Sequence, residues 1–132
     1  LLKSEDVLSA IKSIRKLGIK IKIIGDKCEV FGKGLNGYSV KKKLILNAGN
    51  SGTTARLLLG ILANSNQEIQ IVGDQSLSKR DMSRITIPLK KFGTKFGSND
   101  KKLPINIKGP KKLKAIATKW ILHLKILKVT VW

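Results

Sequence analysis

Two stretches of this 132-residue sequence carry residue types suited to anions. The first is Gly49-Asn50-Ser51-Gly52-Thr53-Thr54, which lies between a short apolar run and a helical pattern. A loop in that position turns the unpaired backbone N–H groups of a helix start toward one spot, where partial positive charge favours a phosphate or carboxylate. Gly52 lets a ligand approach the backbone closely. The stretch lacks a Gly-Lys-Ser/Thr ending and is neither a nucleoside-triphosphate loop nor a dinucleotide fingerprint. The second stretch, Gly73-Asp74-Gln75-Ser76-Leu77-Ser78-Lys79-Arg80, follows the next strand pattern. Its adjacent cations suit the same anions, and arginine can hold them bidentately. Taken singly, the first also reads as a capped tight turn and the second as an exposed basic loop. They gain force together, because both leave neighbouring strand ends and can converge.

Other chemistries are poorly supplied. Cys28 is the one cysteine and His123 the one histidine, which excludes a disulfide framework and cysteine- or histidine-based metal clusters. No metal site of that kind is therefore expected. No apolar run approaches the ~18 residues of a membrane span, so no membrane partner is expected and the expected location is cytoplasmic. Lys and Arg number 27 against 8 Asp and Glu, a formal charge of +19. Only Arg15, Arg56, Arg80 and Arg84 are arginines, and the lysines recur at surface-like positions rather than in one block. That pattern fits a solvated lysine-rich surface, or attraction to nucleic acid or phosphorylated metabolites.

The positioning elements can be read in order. Ser4-Glu5-Asp6 opens a helix, Val7, Leu8, Ile11, Ile14 and Leu17 form its apolar stripe, and Gly18 stops it. Ile19, Ile21 and Ile23 alternate with lysines as in a half-buried strand; Gly25-Asp26 turns into a second strand, Lys27 to Phe31. Leu44 to Leu46 reads as a short buried strand and Thr53 to Ala63 as a helix with Leu57, Leu58, Ile61 and Leu62 apolar. Glu68 to Val72 reads as a strand, Gly73 to Asp81 as a loop, and Met82 to Phe92 as a helix that Pro88 is expected to kink. Helix end, glycine and alternating strand recur at Leu17-Gly18-Ile19 and Phe92-Gly93-Thr94, about 75 residues apart. This is either a duplicated α/β module or a coincidence of a common arrangement.

Asn47-Ala48-Gly49-Asn50-Ser51-Gly52-Thr53-Thr54-Ala55-Arg56-Leu57-Leu58 resembles a signature of the 5-enolpyruvylshikimate-3-phosphate synthases, the 3-phosphoshikimate 1-carboxyvinyltransferases. Gly73 to Met82, with Arg84 and Pro88-Leu89, is similar to the family's second signature, and the resemblance covers residues 1–116. The related UDP-N-acetylglucosamine enolpyruvyl transferases share the fold but lack the Asn-Ser-Gly-Thr-Thr-Ala-Arg string. The resemblance implies an α/β (α+β) fold, a partial inside-out α/β barrel of repeated βαβαββ units with helices inside and sheets outside. It implies transfer of the enolpyruvyl group from phosphoenolpyruvate to the 5-hydroxyl of shikimate 3-phosphate, with phosphate release and no cofactor. Gly52 and Arg80 match the family's phosphoenolpyruvate-binding glycine and arginine. Asn50, Ser51 and Thr53 are expected to shape the loop, and Arg56 to be structural. The full-length form is expected to be a monomer.

Three departures stand out. Asp81 replaces the family's usual proline after Arg80, placing an acid beside the expected clamp. The family's earlier Lys-Ser…Arg motif is missing, which suggests an incomplete N-terminal-region fragment, inactive alone. Residues 117–132 contain both tryptophans and His123 in place of the family's Ser-Ala-Gln segment. They read as a frame-shifted tail beginning near Ala117 or as a genuine amphipathic ending, and His123 is given no catalytic role. The alternative function is a small basic nucleic-acid-binding module, for which three Phe, one Tyr and two Trp offer few stacking platforms.

Overall fold

The structure is a computed structural model that describes residues 4–34, 37–40 and 43–116. The expectations for residues 117–132, including His123, lie outside the described residues. Ser4 opens helix α1 (Glu5–Lys16): its Oγ accepts a hydrogen bond from the Val7 amide at 3.4 Å. Acids fill the first turn and Arg15 and Lys16 the last, the arrangement the helix dipole favours. Gly18, at φ +80°, ends α1 in the left-handed region that a residue with a Cβ avoids. The stripe is half covered: Ile11 and Leu17 are buried, while Leu8 is exposed.

Strands β1 (Lys20–Ile24) and β2 (Lys27–Phe31) form an antiparallel hairpin that makes a two-stranded sheet of its own. The expected half-buried alternation holds only at Ile21. Ile23, Ile24, Val30 and Phe31 are exposed, because the hairpin pairs with itself and little packs on it. Lys20 and Lys22 instead lie over the Phe31 ring, at 5.6 and 5.7 Å from its centroid.

The second sheet has four strands, β3 (Leu44–Asn47), β4 (Ile69–Val72), β5 (Lys95–Phe96) and β6 (Ile105–Lys108), in the order β3-β4-β6-β5. β3 and β4 are parallel, and β6 runs antiparallel to both β4 and β5. The register places Leu46 beside Ile71 and Ile71 beside Ile105, with Ile69 beside Ile107 in the adjacent row. All five are buried, so one face of the sheet is apolar. Helices α2 (Gly52–Ile61) and α4 (Ser83–Lys91) cover it through Ala55, Leu58, Leu59, Ile85 and Leu89. The opposite face carries Ile45, Gln70 and Asn106 in one row. Helices gathered on one side of an open mixed sheet constitute part of the expected inside-out arrangement; the described residues do not close a barrel.

Several details differ from the sequence reading. α2 begins at Gly52 because Ser51 caps it, and it buries Leu58, Leu59 and Leu62, with Leu57 half-buried and Ile61 exposed. Its end tightens into a 3₁₀ turn, Leu62–Asn64. The loop after β4 contains a single helical turn, α3 (Gln75–Ser78). Pro88 lies within α4, which continues through it to Lys91. Ile45, in the middle of the expected buried strand, faces outward and is exposed. The recurrence is visible in three dimensions: α1–Gly18–β1–β2 and α4–Gly93–β5–β6 are the same order of parts, and Gly93 also has a positive φ, +101°.

Candidate functional site

Because β3 and β4 are parallel neighbours, the loops after Asn47 and Val72 leave the same end of the sheet. Backbone bonds join them there: the Ala48 amide donates to Val72 O and the Asp74 amide to Gly49 O, each at 2.9 Å. Within the first loop, Asn47 Oδ1 accepts from the Gly49 amide at 2.8 Å and Ser51 Oγ from the Thr54 amide at 3.0 Å. Thr54 Oγ1 donates to Asp6 O, which ties the first turn of α2 to α1. Ser51 is buried; Thr53 is exposed and makes none of the loop's side-chain bonds among the described residues.

Asp74 crosses between the loops. One carboxylate oxygen accepts from the Leu77 amide at 2.7 Å and caps α3, and the other accepts from Asn50 Nδ2 at 2.7 Å. Sequence reasoning gave Asp74 no role, although an Asp directly before a Gln-Ser-Leu turn is a recognisable cap. The Leu77 amide foremost, then the Asn50 side chain, hold its carboxyl below the ordinary aspartate range, with Arg80 adding a smaller attraction.

The turn of α3 delivers Arg80, whose amide donates to Leu77 O at 3.0 Å. A Cβ on Gly52 would stand 3.1 Å from Nη1 of Arg80 and 3.7 Å from Nη1 of Arg56. Two guanidiniums thus meet over a buried glycine at the head of α2. Among the described residues no carboxylate or hydrogen-bond acceptor engages either one; the one ion pair there joins Lys90 to Asp100. Asp81 does not pair with Arg80. Its Oδ1 accepts from Ser83 Oγ at 2.6 Å and from the Ser83 amide at 3.2 Å, at the head of α4. Those bonds hold its carboxyl below the usual range, and the charges acting on it are Lys101 and Arg84.

A cleft of about 680 Å³, lined by Tyr38, Val40, Asn64, Gln67 and Lys111 among others, opens at the other end of β4. With one charged residue in its lining it offers an anion far less than the Gly52 loop. Among the described residues no group of three His, Cys, Asp or Glu side chains is placed to hold a metal, and no helix is long and apolar enough to cross a membrane.

Fold and site together define an α/β domain with a cationic, glycine-floored pair of loops at its strand ends. A model of the EPSP synthase (3-phosphoshikimate 1-carboxyvinyltransferase) family matches residues 1–122. The 3-phosphoshikimate 1-carboxyvinyltransferase of Vesicomyosocius okutanii is 48% identical over 116 residues, covering 87% of this chain and 26% of that protein. The enzyme of the same name from Streptococcus suis is 48% identical over 118 residues, 88% of this chain and 28% of its own length. The EPSP synthase of Acinetobacter baumannii superposes with a TM-score of 0.80 at 34% identity, over 88% of this chain and 26% of that one. The chain belongs to the EPSP synthase family. It spans about a quarter of the length of the relatives it matches.

Proposed function

We propose that the chain forms one wall of a carboxyvinyltransferase active site that moves the enolpyruvyl group of phosphoenolpyruvate to the 5-hydroxyl of shikimate 3-phosphate. The hydroxyl oxygen bonds to C2 of the enol as C3 takes a proton; loss of phosphate from C2 and of a C3 proton restores the double bond. Addition and elimination of this kind require proton transfer and stabilisation of charge, and draw on no metal or organic cofactor. Residues 1–116 are read as part of one enolpyruvyl transferase domain and residues 117–132 as an aberrant tail, although the family match runs on to residue 122.

The observation that carries this reading is the convergence of Arg80 and Arg56 on Gly52. Phosphoenolpyruvate bears a carboxylate and a phosphate, and fixed guanidiniums beside the free amides of a helix start stabilise such charge without reorganising. In this reading Arg80 grips the substrate, Gly52 keeps the floor open, Ser51 and Asn50 fix the loop, and Thr53 flanks it. Arg56 adds positive field from one turn further along α2. No observation favours the nucleic-acid alternative: Phe31, an exposed aromatic, is already covered by Lys20 and Lys22.

The test is a chimera in which residues 1–116 replace the matching segment of a complete relative. It is expected to turn over both substrates. Arg80→Ala in it should lower kcat/KM for phosphoenolpyruvate by roughly 30- to 1,000-fold, the usual consequence of losing a charged bidentate contact. An inactive chimera, or unchanged kinetics in the variant, overturns the reading.

A further inference from the structure

We infer that Asp74 is a positioning residue of the phosphoenolpyruvate site, a latch that fixes the Gly52 loop against the Arg80 loop through Asn50. The inference rests on the proposed function for what the site binds, but its geometry is independent of it. Four bonds meet at this one residue, one of them the Ser78 amide donating to Asp74 O within the α3 turn. Its amide donates to Gly49 O at 2.9 Å, one carboxylate oxygen accepts from the Leu77 amide, and the other from Asn50 Nδ2, both at 2.7 Å.

The consequences run to both halves of the site. Holding Leu77 starts the turn that presents Arg80, and the Leu77 side chain also lies against the floor, 3.7 Å from a Cβ on Gly52. Holding Asn50 fixes the loop two residues before Gly52. The carboxylate therefore adds a side-chain tie to the two backbone bonds that join the loops, and with them helps set the distance between the glycine floor and the guanidinium above it. It does so while standing close enough to Arg80 to feel its charge, yet without forming an ion pair with it. The carboxylate is spent on an amide and a carboxamide, so the guanidinium stays available to a ligand. Charge-assisted bonds of this kind are short and directional, which suits them to setting position.

The chemistry of the pair supplies the test. Asn50→Asp places two carboxylates face to face, where both cannot remain ionised at a short separation. In the active chimera, N50D should raise the KM for phosphoenolpyruvate about tenfold near neutral pH, since displacements of ~1 Å are costly to a bound geometry. The KM for shikimate 3-phosphate should stay within about twofold, the latch touching only one side of the site. Relative to the parent chimera at each pH, the loss should shrink as the pH falls below neutral and the acid pair takes up one proton. The reciprocal pair N50D/D74N restores one carboxylate and one carboxamide, and should recover most of the loss at neutral pH.

An N50D variant with the parent KM overturns the latch. So does a loss that the reciprocal pair fails to recover, or an equal rise in both KM values with a lowered Tm, which marks a role in stability alone. Arg80→Ala, run alongside, separates the two levels. If it leaves the KM for phosphoenolpyruvate unchanged, the reading of the site falls and the latch with it. If it raises that KM while N50D does not, the latch alone falls.

Discussion

Gly52 is the position at which one added methyl group tells most. The Cβ of an alanine would come within 3.1 Å of Arg80 Nη1, the far end of a flexible side chain, and within 3.7 Å of Leu77 Cδ1. The arginine can yield by a few tenths of an ångström, so Gly52→Ala should cost the fold less than about 1 kcal/mol. Its effect should fall on the ligand: in the chimera, the KM for phosphoenolpyruvate should rise about tenfold with little change in Tm. Steady-state kinetics beside thermal melts check this, and an unchanged KM would show that neither Gly52 nor the guanidinium it displaces touches the substrate. At this scale much was legible beforehand. Gly52, Ser51 and Arg80 stand out because a glycine, a cap and a cation each act within their own few residues. Asp74 did not, since its partner Asn50 is 24 positions away and only the parallel pairing of β3 and β4 joins them. Asp81 misled for the opposite reason: adjacent in sequence to Arg80, it turns to Ser83 at the head of α4.

Among the elements, a contact highly sensitive to bulk lies where β6 ends against the 3₁₀ turn. Gly109 donates its amide to Ser65 O, and a Cβ there would fall 2.4 Å from Asn64 C and 2.5 Å from Ala63 O. Those neighbours are backbone and cannot swing aside. Gly109→Ala should therefore cost about 3 kcal/mol, lowering Tm by roughly 10 °C or more for a domain of this size. Gly32, with nothing within 4 Å of its would-be Cβ, is the matched comparison, and Gly32→Ala should melt close to the parent. Circular dichroism melts of the three proteins decide it; equal melting would mean that β6 and the turn are not packed as described. The helices were readable because caps and apolar periodicity are local signals. α3 was not, one turn being too short to show a period. The β1–β2 hairpin was misjudged at Ile23 because alternation tells which side chains share a face, and cannot tell whether anything lies against it.

The molecule as a whole presents a wall without its opposite. Arg56 and Arg80 approach Gly52, and the chain spans about a quarter of the length of the relatives it matches. The 132-residue chain should therefore show no turnover above background in a phosphate-release assay with both substrates, because the reaction needs both anions held in one geometry. Measurable turnover would mean that this wall suffices. Leu8, Ile24, Val30, Phe31, Ile45 and Ile87 are all exposed. The fold class could be read from the signatures together with the helix–glycine–hairpin recurrence. The sheet order could not, since β6 inserts between β4 and β5 and nothing local in Ile105–Lys108 announces its neighbours. That order also bears on how the polypeptide matures as it is made. Emerging from its N-terminus, the chain completes β3, α2 and β4 while β6 is still unsynthesised. During that interval the flank of Ile69–Val72 that β6 will occupy presents bare N–H and C=O groups beside an apolar face. The nascent protein is most open to pairing with a wrong strand in the stretch between translating Val72 and translating Lys108, and the delivery of Ile105–Lys108 closes that interval.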